Sequence, residues 1–302
     1  MESLEYLVPA SLAGATVETV LRRELKLSGK RFRSLKFRKN GILRNGAPVY
    51  SDAVLSAGDR LTLSLTSGKP PSLAVAPSPL PLETVYEDAW LLVVNKPPHL
   101  SAHSEGSADC LAGRLQSRLN GEPAHLVNRL DKGTSGLLLA AKSGYLHDLL
   151  RRQLHSEALR REYLALVRGT PAPPEGEVTE PISPNKNPEG RYTVDPAGRP
   201  ARTDYALLSA GTGLSLLRLT LKTGRTHQIR VHMAFRGWPL AGDRLYGGPI
   251  CPGLDRPALH AWRLSFVHPM TGQELRFLAP LPEDLRSLAL FSNISVEKAA
   301  EE

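Results

Sequence analysis

Five prolines fall within residues 68–83, GKPPSLAVAPSPLPLE. Proline fixes φ and lacks a backbone donor, so this stretch holds neither a helix interior nor a central strand. It reads as an extended Pro/Ser-rich linker that divides the 302-residue chain into residues 1–67 and a large part from residue 84. The length suits one large domain plus a small one, the large one expected over 84–292 with 293–302 as a tail. At 41% apolar and 23% charged residues, a full core can be buried. No internal repeat is visible.

The net charge of +8 is concentrated at the start of the chain. Residues 1–70 hold 12 Lys+Arg against 6 Asp+Glu, and ten of those basic residues lie between Arg22 and Arg44 with one acid, Glu24. A polyanion such as RNA suits this cluster, because neutralising phosphates releases counterions. A solvated helix face explains it as well. Within ATVETVLRRELKL, residues 15–27, Val17, Val20, Leu21, Leu25 and Leu27 fall near helical spacing, with Arg22, Arg23 and Lys26 opposite. RFRSLKFRKNG predicts a second short helix ending near Gly41, and ILRNGAPVY a hairpin around Asn45-Gly46. AGDRLTLSL closes this small unit as a strand.

Two cysteines, Cys110 and Cys251, make neither a disulfide framework nor a zinc pattern. The N-terminus lacks a basic-then-apolar leader, and no window approaches the ~18 apolar residues of a membrane span. A soluble cytoplasmic protein is expected, with no membrane partner, so the NIS acceptor at Asn293 carries no weight.

In the large part, WLLVV is a continuous apolar run, a buried strand stopped by NKPP. CLAGRLQSRL and SGYLHDLLRRQLHSEAL predict helices, the second with Leu146, Leu149, Leu150 and Leu154 on one side. REYLALVRG predicts a strand, and residues 170–202 a loop-dominated stretch. LLRLTLKTG alternates, Leu217, Leu219 and Leu221 against Arg218, Thr220 and Lys222. RTHQIRVHMAFRG predicts a helix capped near Thr226. Strands and helices mix without regular β-α alternation, so the expected class is α+β with a mixed, largely antiparallel sheet.

VNRLDKGTSG, residues 127–136, sets Arg129 and Asp131 at a glycine-rich turn. It is no phosphate loop, because Lys132 precedes its glycine and the upstream glycine of that motif is missing. No dinucleotide fingerprint follows a strand, and no Cys-x-x-Cys or His pair at i,i+4 offers a metal site. His227 and His232 are five apart and read as a packing or hydrogen-bonding histidine and a surface histidine. A carboxylate can act as nucleophile or base if a guanidinium and backbone N–H donors hold it charged against the cost of burial. The turn KGTSG can aim N–H groups inward because Gly133 and Gly136 permit unusual dihedrals, and Arg230 is the expected positive partner. A lone Asp in a turn serves as readily as a cap or a surface ion pair.

Taken in order, VVNKPPHLSAH, NRLDKGTSGLLLAAKS, REYLALVRG, GRPARTDYALL, LKTGRTHQIRVHMAFRGWPLAGDRLYGG and LHAWRLSFVHPMTGQ resemble six blocks of the RluA-type RNA pseudouridine synthases. LSGKRFRSLKFRKNGILRNGAPV with SAGDRLTL resembles an S-four-like RNA-binding domain. The resemblance implies a pseudouridine synthase fold behind a small α/β-hairpin RNA-binding domain. It implies that Asp131 is the reacting carboxylate, that Arg230 pairs with it, that Tyr163 packs against the flipped uracil and that Arg129 helps expel the nucleotide. Asn128 stands where many members carry His, a departure that bears on the choice of RNA. The basic residues Lys30, Arg31, Arg33, Lys36 and Arg38 of the first unit are expected to touch RNA.

The implied reaction breaks the bond between ribose and uracil nitrogen, turns the base and rejoins it through carbon. Both bonds belong to the substrate, so no cofactor, metal or nucleotide is expected. The base must leave its stack to be reached, and an aromatic ring offers it a sequence-tolerant surface worth about 1–3 kcal/mol. Asp131 can attack the anomeric carbon or act as a base on the ribose beside it. Tyr163 can help remove the proton from the re-formed carbon, or simply fill the core. The expected protein is thus a monomeric synthase acting on ribosomal RNA, or on transfer RNA. A non-catalytic RNA-binding or ribosome-assembly factor is the alternative.

Overall fold

A computed structural model describes residues 3–65, 78–104 and 109–296. Four strands, β1 (Ser3–Leu7), β2 (Ile42–Arg44), β3 (Ala47–Pro48) and β4 (Arg60–Ser64), form an antiparallel sheet in the order β1-β4-β2-β3. The β2–β3 turn is made by Asn45 and Gly46, both at positive φ (50° and 84°), the handed pair that a two-residue hairpin needs. A short helix α1 (Val17–Thr19) continues into π-type hydrogen bonding over Val20–Glu24. The helical stretch expected over 15–27 is therefore shorter and irregular. Helix α2 (Gly29–Lys36) begins at Ser28, whose hydroxyl accepts the Arg31 N–H, and buries Phe32 and Leu35.

The larger sheet has ten strands: β5 (Glu83–Glu87), β6 (Leu91–Lys96), β7 (His125–Leu126), β8 (Ser135–Ala141), β9 (Arg160–Arg168), β10 (Glu175–Val178), β11 (Thr203–Ala210), β12 (Leu214–Leu221), β13 (Leu259–Val267) and β14 (Glu274–Leu278). The main path runs β10-β11-β12-β9-β13-β8-β6-β5, with β14 on β13 and β7 on β8. Only the β13–β8 contact is parallel among the described strands. This is the α+β, largely antiparallel sheet that the mixed pattern implies. Its helices are α3 (Leu111–Arg118), α4 (Gly144–His155), α5 (Gln228–Phe235) and α6 (Glu283–Phe291). Strand β8 is buried along its whole length, as is the Leu91–Val94 run of β6, so apolar side chains cover both faces.

Three boundaries differ from the sequence reading. Most of the Pro/Ser-rich linker lies outside the described residues, but Ser78 is already tied to the large sheet's side, its hydroxyl donating to Asp109. The stretch 170–202 carries a strand, β10, paired to β11. The expected tail begins packed, because Ile294 is buried in the cluster around Trp262 and Leu285.

The two sheets share an apolar cluster in which Leu21, Phe32 and Leu35 join Tyr145, Leu146 and Leu150. Polar contacts pin the same junction. Ser28 Oγ donates to Asp148 (2.9 Å), and Tyr145 Oη donates to the Leu25 carbonyl (2.9 Å). Arg31 is half-buried. Its guanidinium fills the space beside Gly144, and burial, opposed by Asp148, lowers its pKa.

Where β8 meets β13, Gly136 (φ 108°) lies flat against Ala261, leaving no room for a side chain. His260, 1% exposed, fixes this contact. Its Nδ1 accepts the Ser135 hydroxyl (2.9 Å) and its Nε2–H donates to the Ala279 carbonyl (3.2 Å), a bonding set for the neutral ring. Burial, its largest cause, pulls the His260 pKa down to about 4. An unfolded chain binds a proton there below its ordinary value of 6.5, while the folded chain waits until about 4. Stability therefore falls as pH drops through that window, by at most about 1.4 kcal/mol per pH unit from this group. In urea unfolding between pH 6.5 and 4, His260→Gln should lose stability less steeply than the wild type. Parallel slopes would mean that His260 titrates normally in the fold.

Candidate active site

A cleft of about 1040 Å³ opens over the turn between β7 and β8. Within that turn the side chains alternate: Arg129 is exposed, Leu130 is buried in the core, and Asp131 faces the cleft. Leu130 thus acts as the anchor that presents its neighbours. Thr134 N–H closes the turn onto the Asp131 carbonyl (3.0 Å). Below it, Lys96 is fully buried and donates from Nζ to the carbonyls of Pro97, Leu100 and Lys132 at 2.8, 3.0 and 3.2 Å. Burial, then the Arg256 guanidinium, pulls the Lys96 pKa to about 7, while Asp131 opposes the shift. Arg256 ties the same turn to α6, donating to the Gly133 carbonyl (3.1 Å) and bidentately to Asp284 (2.6 and 2.9 Å).

Tyr163 reaches the cleft from β9, where it sits opposite Leu219 of β12 and Ala261 of β13. Only 3% of it is exposed, and burial raises its pKa. It is both core filler and cleft wall. Arg230 comes from α5. Its Nη1 is 3.7 Å from Asp131 Oδ2, too long for a direct hydrogen bond but close enough for strong attraction. Its principal partner is Asp243, 1% exposed, which accepts from Nε and Nη2 at 2.7 and 2.8 Å. The Tyr246 ring lies 4.8 Å from the Arg230 guanidinium carbon, a cation–π contact. Burial disfavours the Arg230 charge, yet the hydrogen bonds and charge of Asp243 outweigh it and raise the pKa. The expected Asp131–Arg230 ion pair is present, but it is the weaker of two. Arg230 is held by a second carboxylate and offers Asp131 one free edge.

Asp243 escaped the sequence reading. Within GWPLAGDRLYGG it is an ordinary turn aspartate, and no local spacing couples it to Arg230 thirteen residues earlier. The α5 boundary also differs. The helix starts at Gln228, and the residue before it is His227 in the left-handed region (φ 56°, ψ 19°), so Thr226 is not the cap. Gln228 supplies the reason. Its Oε1 accepts the Arg225 N–H and the Thr223 hydroxyl, while its Nε2 donates to Arg202 O and Thr203 Oγ1, which locks the preceding loop. His232, expected on the surface, is fully buried between Thr203 Oγ1 (2.9 Å) and the Glu180 carbonyl (3.0 Å). His227 is half-buried at the cleft, 3.9 Å from Asp131 Oδ2.

Asp131, Tyr163, Arg230 and Arg129 therefore converge on one cleft. Asn128 borders it, but its side chain is buried and its Oδ1 accepts the Leu139 N–H (2.8 Å), tying the turn to β8. In the N-terminal unit Lys30, Arg33 and Lys36 are exposed on α2, and Arg38 donates to Ser64 Oγ. Among the described residues no group of three or more metal-ligating side chains occurs, and no helix is long and apolar enough to cross a membrane.

Residues 90–235 match the family model described as RNA pseudouridylate synthase. The chain is 38% identical over 271 residues to the RNA pseudouridine synthase YjbO of Bacillus subtilis, covering 88% of this chain and 95% of that protein. It is 35% identical over 306 residues to ribosomal large subunit pseudouridine synthase D of Neisseria meningitidis, covering 93% of this chain and 79% of that one. The solved structure of human RNA pseudouridylate synthase domain containing 4 matches with a TM-score of 0.60 over 70% of this chain and 94% of its own, at 24% identity, a likeness of fold. With relatives this similar over most of their length, the chain belongs to the RNA pseudouridine synthases, isomerases that act on uridine in RNA.

Proposed function

We propose that this enzyme isomerises uridine in large-subunit ribosomal RNA, with Asp131 as the reacting carboxylate. The observation that carries this reading is the convergence of Asp131, Arg230 and Tyr163 on one cleft, Arg230 standing 3.7 Å from the carboxylate. The choice of ribosomal RNA rests on likeness to the Neisseria relative.

The cleft reaches only a nucleotide that has left its helix. Arg129, exposed at the turn, takes the place of that nucleotide in the stack. The uracil lies against the cleft wall formed by Tyr163, while Asp131 works at the sugar, either attacking C1′ or taking a proton from C2′. Arg230, steadied by Asp243, sets a positive charge beside that carboxylate. The N-terminal unit is an S-four-like RNA-binding domain whose exposed Lys30, Arg33 and Lys36 meet phosphates outside the cleft, with Arg38 beside them. The enzyme acts as a monomer in the cytoplasm and needs no cofactor.

Asp131→Asn should abolish pseudouridine formation in mapped ribosomal RNA while RNA affinity stays within several-fold. Retained turnover would exclude Asp131 as the reacting group. Replacing Lys30, Arg33 and Lys36 together by alanine should weaken RNA binding. The slope of log affinity against log salt should become shallower by about 2 to 3, as expected for three lost phosphate contacts. An unchanged slope would mean that this face of α2 does not meet RNA.

A further inference from the structure

We propose that His227 is a further catalytic group, whose Nε2–H donates a hydrogen bond to the uracil carbonyl oxygen beside N1 while the bond from that nitrogen to ribose breaks. The inference rests on the proposed reaction at Asp131 and adds a donor for the departing base.

The bonding around His227 accommodates a proton on Nε2. The Tyr246 hydroxyl accepts the Tyr192 N–H (3.1 Å) and has one hydrogen of its own. His227 Nδ1 lies 3.0 Å from that hydroxyl, and the neighbouring Arg230 guanidinium offers no acceptor. With Tyr246 as the donor to Nδ1, the imidazole proton sits on Nε2. That nitrogen points into the cleft, 3.9 Å from Asp131 Oδ2. The gap is too long for a direct bond, and it lets both groups reach the sugar–base junction of one nucleotide. Two tyrosine rings pack against the imidazole. Tyr192 and Tyr246 flank it edge-on, with centroids at 5.5 and 5.7 Å and interplanar angles of 81° and 83°. Burial lowers the His227 pKa, so the ring is neutral at neutral pH and keeps its single donor.

The left-handed backbone at His227 fits this use. At φ 56° a residue with a side chain is strained, a cost that active sites often hold. When the C1′–N1 bond breaks, its electron pair passes to the uracil and is shared between N1 and the two carbonyl oxygens. C1′ is taken by the Asp131 oxygen, or the C2′ proton passes to that oxygen and the C2′–H electron pair forms a C1′=C2′ double bond. A fixed N–H aimed at a carbonyl oxygen meets charge that develops only as the bond breaks, which speeds the step more than it tightens binding.

Two substitutions separate a donor from a mere backbone device. Asparagine tolerates the left-handed region best, but its amide ends near the Nδ1 position. Glutamine carries an N–H donor out to the Nε2 position. The test uses the purified full-length enzyme and total RNA from cells lacking this protein. His227→Asn should lower kcat about a hundredfold with KM within about threefold, and His227→Gln should keep kcat within about tenfold of the wild type. Tyr246→Phe, which frees the tautomer, should lower kcat by less than His227→Asn, again with little change in KM. An Asn variant as fast as the Gln variant, a rise in KM alone, or an unchanged kcat in Tyr246→Phe overturns the assignment. A wild-type enzyme that forms no pseudouridine in this RNA overturns the proposed function instead.

Discussion

The cleft is organised around the buried ion pair of Arg230 with Asp243. Two charge-assisted hydrogen bonds of 2.7 and 2.8 Å fix the plane of the guanidinium, and the Tyr246 ring supports it from one side. With Nε and Nη2 engaged, the edge carrying Nη1 faces Asp131. Such a pair is expensive to bury and adds little stability of its own. Its value here is positional. It sets a positive charge beside the Asp131 carboxylate without letting the two collapse into a closed bidentate bridge that would occupy both.

The Asp131 turn is held as firmly from below. Lys96 gathers three carbonyls, Arg256 joins the turn to α6, and His260 bonds Ser135 at the first residue of β8. These residues come from β6, from the segment before β13, and from β13 itself. The parallel β8–β13 contact brings them together, and Gly136 allows it by letting Ala261 approach without a side chain between. The exposed Arg129 and the cleft-facing Asp131 are thus carried on a rigid base, with Leu130 as the buried peg between them.

The N-terminal unit is packed against α4 rather than merely tethered. Apolar contacts around Tyr145 and Leu146, the Ser28–Asp148 bond and the inward Arg31 connect α2 to the helix whose His147 and Arg151 line the cleft. Arg31 shows why a basic cluster in sequence is not yet a binding face. Charge count says nothing about which side chain a neighbouring unit covers, and Arg31 is spent on the junction while Lys30, Arg33 and Lys36 remain outside.

The sequence alone was enough for several strands, the hairpin at Asn45-Gly46, the mixed sheet class and the choice of Asp131, Tyr163 and Arg230, which share one cleft. Those features reside in local periodicity, in turn chemistry and in ordered blocks of residues. Only the tertiary structure decided that Asp243 holds Arg230, that His227 turns left-handed into the cleft, that His232 is buried, and that Asn128 and Arg31 serve packing. Each of these depends on which distant backbone closes over a side chain. The start of α5 illustrates it: the bonds of Gln228 to Arg202 and Thr203 of the β11 segment move the helix start past Thr226. Local spacing carries no record of such closures, because they are set where the chain returns upon itself.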